Sequence, residues 1–321
     1  MIRPFVCALG FAFAAAMVGM LAPAAQTEDV LDACEPGKQE IEAAALPDVV
    51  EPGECPIEGR RIVDGGVGSV VPGPGEGVYA EILTTSGTQE LEVRRREDGA
   101  IELEHIGDAV GGSARLAGGP GECSDPAYTD LSYRVDSSLH YRINATSTPP
   151  EISRRSAGSA IRRAASNVFD TQNACRLGDR VPEALRYDGN TQAHAQVGDG
   201  LCGTDDGGSV VSFGSLREGV LAATCTLSNV KPGYNEVRVS DVKVNKKVFA
   251  WTTKPGSRSC DRRWDLESVM THEWGHTFGL GHVLESNHGY LTMSGGVNGP
   301  CQDAERTLGR GDVLALDRKY P

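Results

Sequence analysis

The sequence predicts an α/β (α+β) chain, with a small β-rich N-terminal region followed by a larger domain built on a twisted mixed sheet. Three observations predict it. Short β-type runs separated by glycine clusters fill residues 60–112. After residue 121, segments of strand period and segments of helix period follow one another. Near the C-terminus, three of the seven histidines fall within eleven residues, at helix spacing and then past a glycine.

Residues 1–25 have the pattern of a secretory signal peptide. Arg3 supplies the positive end, Phe5 to Leu21 is an apolar run, and Ala22-Pro23-Ala24-Ala25 is a small-residue cleavage region. About 295 residues remain after cleavage, enough for one core of about 200 residues and a smaller unit. Residues 26–60 are rich in Glu, Pro and Ala with little periodicity. Val78-Tyr79-Ala80-Glu81-Ile82-Leu83 and Leu91-Glu92-Val93 have strand composition. Ala117-Gly118-Gly119-Pro120-Gly121 has linker composition and sets a boundary near residue 120. Residues 26–120 are thus expected to be a propeptide or an accessory β-rich region, and residues 121–321 the main domain.

In that domain Leu139, Tyr141 and Ile143 alternate with polar residues, as in a half-buried strand. Pro149-Pro150 stops the strand and opens a helix. Ala157, Ala160, Ile161, Ala164 and Val168 give that helix a buried face. Ser209–Phe213 and Gly219–Leu227 suit strands, as do Val237, Val239, Val242 and Val244 with a phase slip near Ser240-Asp241. Asp265 is placed to cap a helix whose inner face holds Leu266, Val269 and Met270.

That last helix carries His272-Glu273-Trp274-Gly275-His276-Thr277-Phe278-Gly279-Leu280-Gly281-His282. His272 and His276 are four residues apart, so both imidazoles leave one face, one turn apart. Gly279 can adopt the left-handed conformation that ends a helix and returns the chain, bringing His282 back as a third ligand. Three neutral imidazoles leave one position of a tetrahedral zinc ion open, the arrangement of catalytic sites. Glu273, one residue along, reaches the space beside the ion and suits a general base. Each imidazole must be neutral to bind, so acidification below about pH 5 is expected to release the metal.

The HExxHxxGxxH pattern resembles that of the metzincin metallopeptidases, and Met293, eleven residues past His282, stands where that family has its Met-turn. The resemblance implies that Met293 forms a hydrophobic floor under the ligands. Within the clan the chain is most similar to the matrixin-like group, especially its bacterial secreted members. Gly219–Leu227 is similar to the edge strand of the matrixin cleft, and 309–320 to the closing helix. The resemblance covers about residues 125–321. Val283 stands where matrixins place a serine, and no tyrosine follows Met293 by two residues. What it implies is a secreted zinc endopeptidase. Gly219, Val220, Leu221, Ala222 and Ala223 would bind an extended protein or peptide substrate, and Glu273 would serve as general base and acid. The rival expectation is a non-catalytic, zinc-containing secreted binding module. In matrixins a propeptide cysteine can silence the zinc, but that propeptide motif is not visible here.

Of nine cysteines, Cys7 would leave with the signal peptide, and the other eight permit up to four disulfides in an exported chain. Cys34 with Cys55 is the easiest local pairing, and Cys260 with Cys301 would bracket the histidine segment. The net charge of −13 becomes −14 without Arg3. Such acidity argues against nucleic acid or an anionic membrane as partner. No segment after the signal peptide is long and apolar enough to cross a bilayer, so the expected location is extracellular. Asp205-Asp206-Gly207-Gly208 suits a turn better than a Ca²⁺ loop, because no full ligand spacing follows. Arg310-Gly311-Asp312 is taken as a chance tripeptide within the closing segment.

Overall fold

A computed structural model describes residues 33–105, 119–178, 181–182, 185–297 and 299–321. The expected signal peptide, most of the 106–120 boundary region and Ala117-Gly118 of the linker lie outside the described residues. Among the described residues no helix is long and apolar enough to cross a membrane.

The chain is a mixed α/β structure around a ten-stranded mixed sheet. Its principal strands, in chain order, are β1 (Val49–Val50), β2 (Glu76–Thr84), β3 (Gly87–Arg95), β4 (Ile101–His105), β5 (Leu139–Ile143), β6 (Leu185–Asn190), β7 (Ser209–Gly214), β8 (Val220–Lys231) and β9 (Tyr234–Asn245). In space they run β6-β5-β7-β9-β8-β2-β3-β4-β1. Tyr133–Arg134 pairs with β9 off this row. From β6 to β9 the pairing is parallel, and from β9 to β1 it is antiparallel.

The periodicities behave as the side chains require. Along β5 Leu139, Tyr141 and Ile143 are buried while His140 and Arg142 are exposed. Helix α1 (Arg154–Phe169) begins four residues after Pro150, with Ser153 as its cap; the Ser153 side chain accepts from Ser156 N–H. Its alanine-rich face packs on helix α2 (Leu266–Thr277). Asp265 caps α2 by accepting from Ser268 N–H at 3.0 Å. The sequence suggests one buried face for α2, but all twelve of its residues are buried. The reason is that α1 and the sheet lie on different sides of it, so it is enclosed rather than amphipathic. Helix α3 (Arg310–Lys319) closes the chain.

A second, five-stranded sheet joins Glu40–Glu42, Arg61–Asp64, Val67–Val70, Leu201–Cys202 and Val197–Gly198. The large sheet therefore lies between two apolar clusters, one shared with the helices and one with the small sheet. Strand alternation divides β2 between them. Tyr79 and Leu83 enter the helix-side cluster, and Val78, Ala80 and Ile82 enter the other. Glu81 is in phase with Tyr79 and Leu83, so its carboxyl points toward α2.

Two expectations change in detail. The strand expected at Gly219–Leu227 begins at Val220 and runs on to Lys231. It also does not lie at an edge: β2 is hydrogen-bonded along it from Val220↔Thr84 to Asn229↔Glu76. A strand from the N-terminal region has taken the pairing edge, which local sequence does not announce. The irregularity in β9 falls where Leu227 faces Val239 and Ser228 faces Val237, just before the Ser240-Asp241 slip.

Four disulfides are present: Cys34–Cys55, Cys123–Cys175, Cys202–Cys225 and Cys260–Cys301.

Candidate metal centre

Helix α2 presents His272 and His276 one turn apart toward the sheet. It stops at Thr277, where Phe278 N–H bonds back to Trp274 O and Gly279 N–H to His276 O. Gly279 then turns with φ +82°, and a Cβ there would stand 2.1 Å from Tyr133 O. Only glycine meets both demands. The next residues, Leu280–Gly281, pair with Thr129–Asp130, and His282 is delivered facing α2.

The three imidazoles converge. His272 Nε2 is 3.0 Å from His282 Nε2 and 3.1 Å from His276 Nε2. Each ring is oriented by an acceptor on its other nitrogen. His272 Nδ1–H donates to Thr292 O at 2.8 Å, His276 Nδ1–H to Leu280 O at 2.9 Å, and His282 Nδ1–H to the Glu90 carboxylate at 2.9 Å. That fixes the tautomer, since with the proton on Nδ1 every Nε2 carries a lone pair. Three lone pairs aimed at one point repel one another unless a cation lies among them. Burial disfavours a proton on His272 or His276 as the alternative. It lowers the pKa of His272 from 6.5 to about 3 and that of His276 well below the usual imidazole range, with the neighbouring imidazoles acting in the same sense.

Two buried carboxylates complete the cluster. Glu273 accepts a hydrogen bond from Thr224 Oγ1 on β8, its Oε1 makes no hydrogen bond of good geometry, and the Glu81 carboxyl lies beside it. Burial raises its pKa from 4.5 to about 7, against the lowering effect of the Thr224 bond. Glu81, directly opposite Thr224 in the β2–β8 register, comes from the N-terminal region. Neither of its carboxylate oxygens makes a hydrogen bond of good geometry, and burial, followed by repulsion from Glu273, holds its pKa well above the carboxylate range. Glu81, His272, His276 and His282 each bring a ligand atom to within 4.8 Å of the others, and all four are buried. Zinc–nitrogen bonds of about 2.0–2.1 Å put ligand nitrogens a little over 3 Å apart. The donor set, its spacing and the orphaned carboxylate oxygens therefore fit a divalent metal ion.

The residues expected from sequence divide as follows. His272, His276, His282 and Glu273 come together. Met293 is buried under α2, so close that a Cβ on Gly275 would stand 2.3 Å from its Sδ. Its segment is tied to the third histidine's by Val283 N–H to Met293 O and Gly295 N–H to Val283 O, both at 3.0 Å. Val220, Leu221, Ala222 and Ala223 lie on β8, with Gly219 just before it, and the strand is covered by β2. His288, near Met293 in sequence, pairs with buried Asp125 at 2.8 Å. In the Asp205–Gly208 turn the carboxylates accept from Gly207 and Gly208 N–H, and Asp205 pairs with Arg238 at 2.7 Å.

Sequence reasoning missed four groups. Glu81 and Glu90 lie nearly two hundred residues upstream. The only trace of Glu81 is an acid within the apolar run Val78–Leu83. Tyr79 donates to Glu90 at 2.5 Å and stacks by His276, with ring centroids 5.5 Å apart. Asp312, placed in a chance tripeptide, is buried and accepts from Thr292, Met293 and Gly309 N–H. It holds the Met293 turn and, through Thr292 O, the His272 ring.

No family model matches the chain, and no curated protein matches it.

Proposed function

We propose that the chain is a secreted zinc endopeptidase of the metzincin, matrixin-like kind, with His272, His276 and His282 as zinc ligands, Glu273 as base and acid, and Met293 in a Met-turn. The observation that carries this reading is the convergence of three lone-pair nitrogens beside a buried carboxylate of raised pKa. A zinc ion, when bound, supplies Lewis acidity toward water and a carbonyl oxygen. Glu273 then takes a proton from the attacking water and hands it to the departing amine. A pKa near neutrality suits a carboxyl that must do both. Thr224 anchors one Glu273 oxygen and leaves Oε1 for the proton. With β2 displaced, an extended peptide would add as a strand to β8 at Gly219–Ala223, through main-chain hydrogen bonds. Four disulfides support export to an oxidising compartment.

One observation favours the rival, a non-catalytic zinc-containing binding module. Glu81 offers a fourth protein ligand, and four-ligand sites are closed structural sites. Cleavage of a denatured protein separates the two. It is to be assayed with the intact chain and after limited proteolysis, with and without chelator, for wild type and Glu273→Ala. The peptidase reading expects chelator-sensitive cleavage that Glu273→Ala abolishes while keeping its metal. Metal binding with no cleavage in any preparation sinks it in favour of the module.

A further inference from the structure

We propose that the β2–β3 hairpin is a built-in blocker of the metal centre: Glu81 supplies the fourth ligand while β2 occupies the β8 edge that an extended substrate would use. This rests on the peptidase reading and adds its regulation.

Three independent features point the same way. The first is the placement of Glu81. Its carboxyl is buried on the same strand face as Tyr79 and Leu83, beside the second buried carboxyl of Glu273, and it is directed at the histidine cluster rather than at solvent. One of its oxygens and the three imidazole nitrogens all lie within 4.8 Å of one another. The second is the pairing of β2. It runs antiparallel to β8 from Val220 to Asn229, with one irregularity at Leu221, so the main-chain groups that would receive a peptide from Ala222 onward face β2 instead. Glu81 sits opposite Thr224, the residue that holds Glu273, so the blocking carboxyl arrives beside the proposed base.

The third is the disulfide map. Cys34–Cys55 lies wholly before the hairpin, and the other three bridges lie wholly after residue 122. No bridge ties the hairpin to the metal-bearing half, so the backbone is its one covalent link to that half. The same map pairs all eight cysteines from Cys34 onward and leaves none of these thiols to serve as the blocking ligand. The role falls to an oxygen donor. The hairpin also contributes Glu90, which orients His282. It thus assembles the third ligand in its binding tautomer while covering the site.

The test uses the full chain loaded with cobalt(II) in place of zinc, as wild type, Glu81→Ala and Glu81→Gln. Glutamine keeps the volume and guards against a folding defect in the alanine variant. Metal content, the visible cobalt absorption and its response to added azide are measured. Expected are one cobalt per chain in all three, a wild-type spectrum insensitive to azide, and altered spectra that shift with azide in both variants. Identical spectra in wild type and variants, or an equal azide response in all, overturn the blocking role and leave the metal-site reading intact. Wild type that binds no cobalt at the three histidines overturns both.

Discussion

The Glu90 carboxylate accepts the Nδ1–H of His282 at 2.9 Å, across 192 positions of sequence. The same oxygen takes the Tyr79 hydroxyl. Such a partner makes the imidazole a better donor and holds it in one tautomer. Glu90→Gln should therefore weaken metal affinity by about 10- to 100-fold, as read by chelator competition. Unchanged affinity would remove Glu90 from the site.

Gly275 and Met293 are in contact closely enough to exclude a methyl group. Gly275→Ala places a Cβ 2.3 Å from the sulfur, and overpacking of this kind costs about 1–3 kcal/mol. In urea unfolding, Gly275→Ala should be destabilised by about that much, and part should return when Met293→Ala is added. Strict additivity of the two changes would show that the sulfur does not support the helix there.

Asp312 accepts three buried backbone N–H groups, two of them from Thr292 and Met293. Asp312→Ala leaves all three without an acceptor, at about 1–3 kcal/mol each. Stability should fall by about 3 kcal/mol or more, and metal affinity should fall with it, because Thr292 O orients His272. A neutral result on both would mean that water replaces the carboxylate.

Acid behaviour follows from the buried imidazoles. The His272 pKa is lowered from 6.5 to about 3. Its contribution to the stability of the metal-free fold is full above 6.5 and declines as pH falls toward about 3, because the unfolded chain takes up a proton that the folded chain refuses. Direct protonation in the fold is thus displaced below the pH of about 5 expected for ordinary histidines. Metal loss on acidification should coincide with loss of near-ultraviolet circular dichroism. Metal leaving near pH 5 from a chain that stays folded would contradict this.

The legible parts of the site are local in sequence. His272, Glu273, His276, Gly279 and His282 fall within eleven residues, and helix geometry alone brings them together. Asp265 as cap, the alternation in β5 and the α1 face were equally local. Cys34–Cys55 and Cys260–Cys301 were accessible because their spacing or bracketing suggested them, whereas Cys123–Cys175 and Cys202–Cys225 depend on the finished fold. Glu81 and Glu90 enter through β2–β8 pairing, and strand register between distant segments leaves no mark in either segment. For the same reason β8 looked like an edge strand. Asp312 was hidden because two of its three partners, Thr292 and Met293, lie in a turn that meets it only when α3 docks.

The central claim is that one divalent ion is held by His272, His276 and His282. X-ray absorption at the zinc edge of the purified full chain, with its metal content, tests it most directly. The account predicts one zinc per chain in a shell of three imidazole nitrogens and one carboxylate oxygen, with metal lost in His276→Ala. A chain that takes up no stoichiometric zinc, or zinc whose shell lacks the imidazoles, would contradict it.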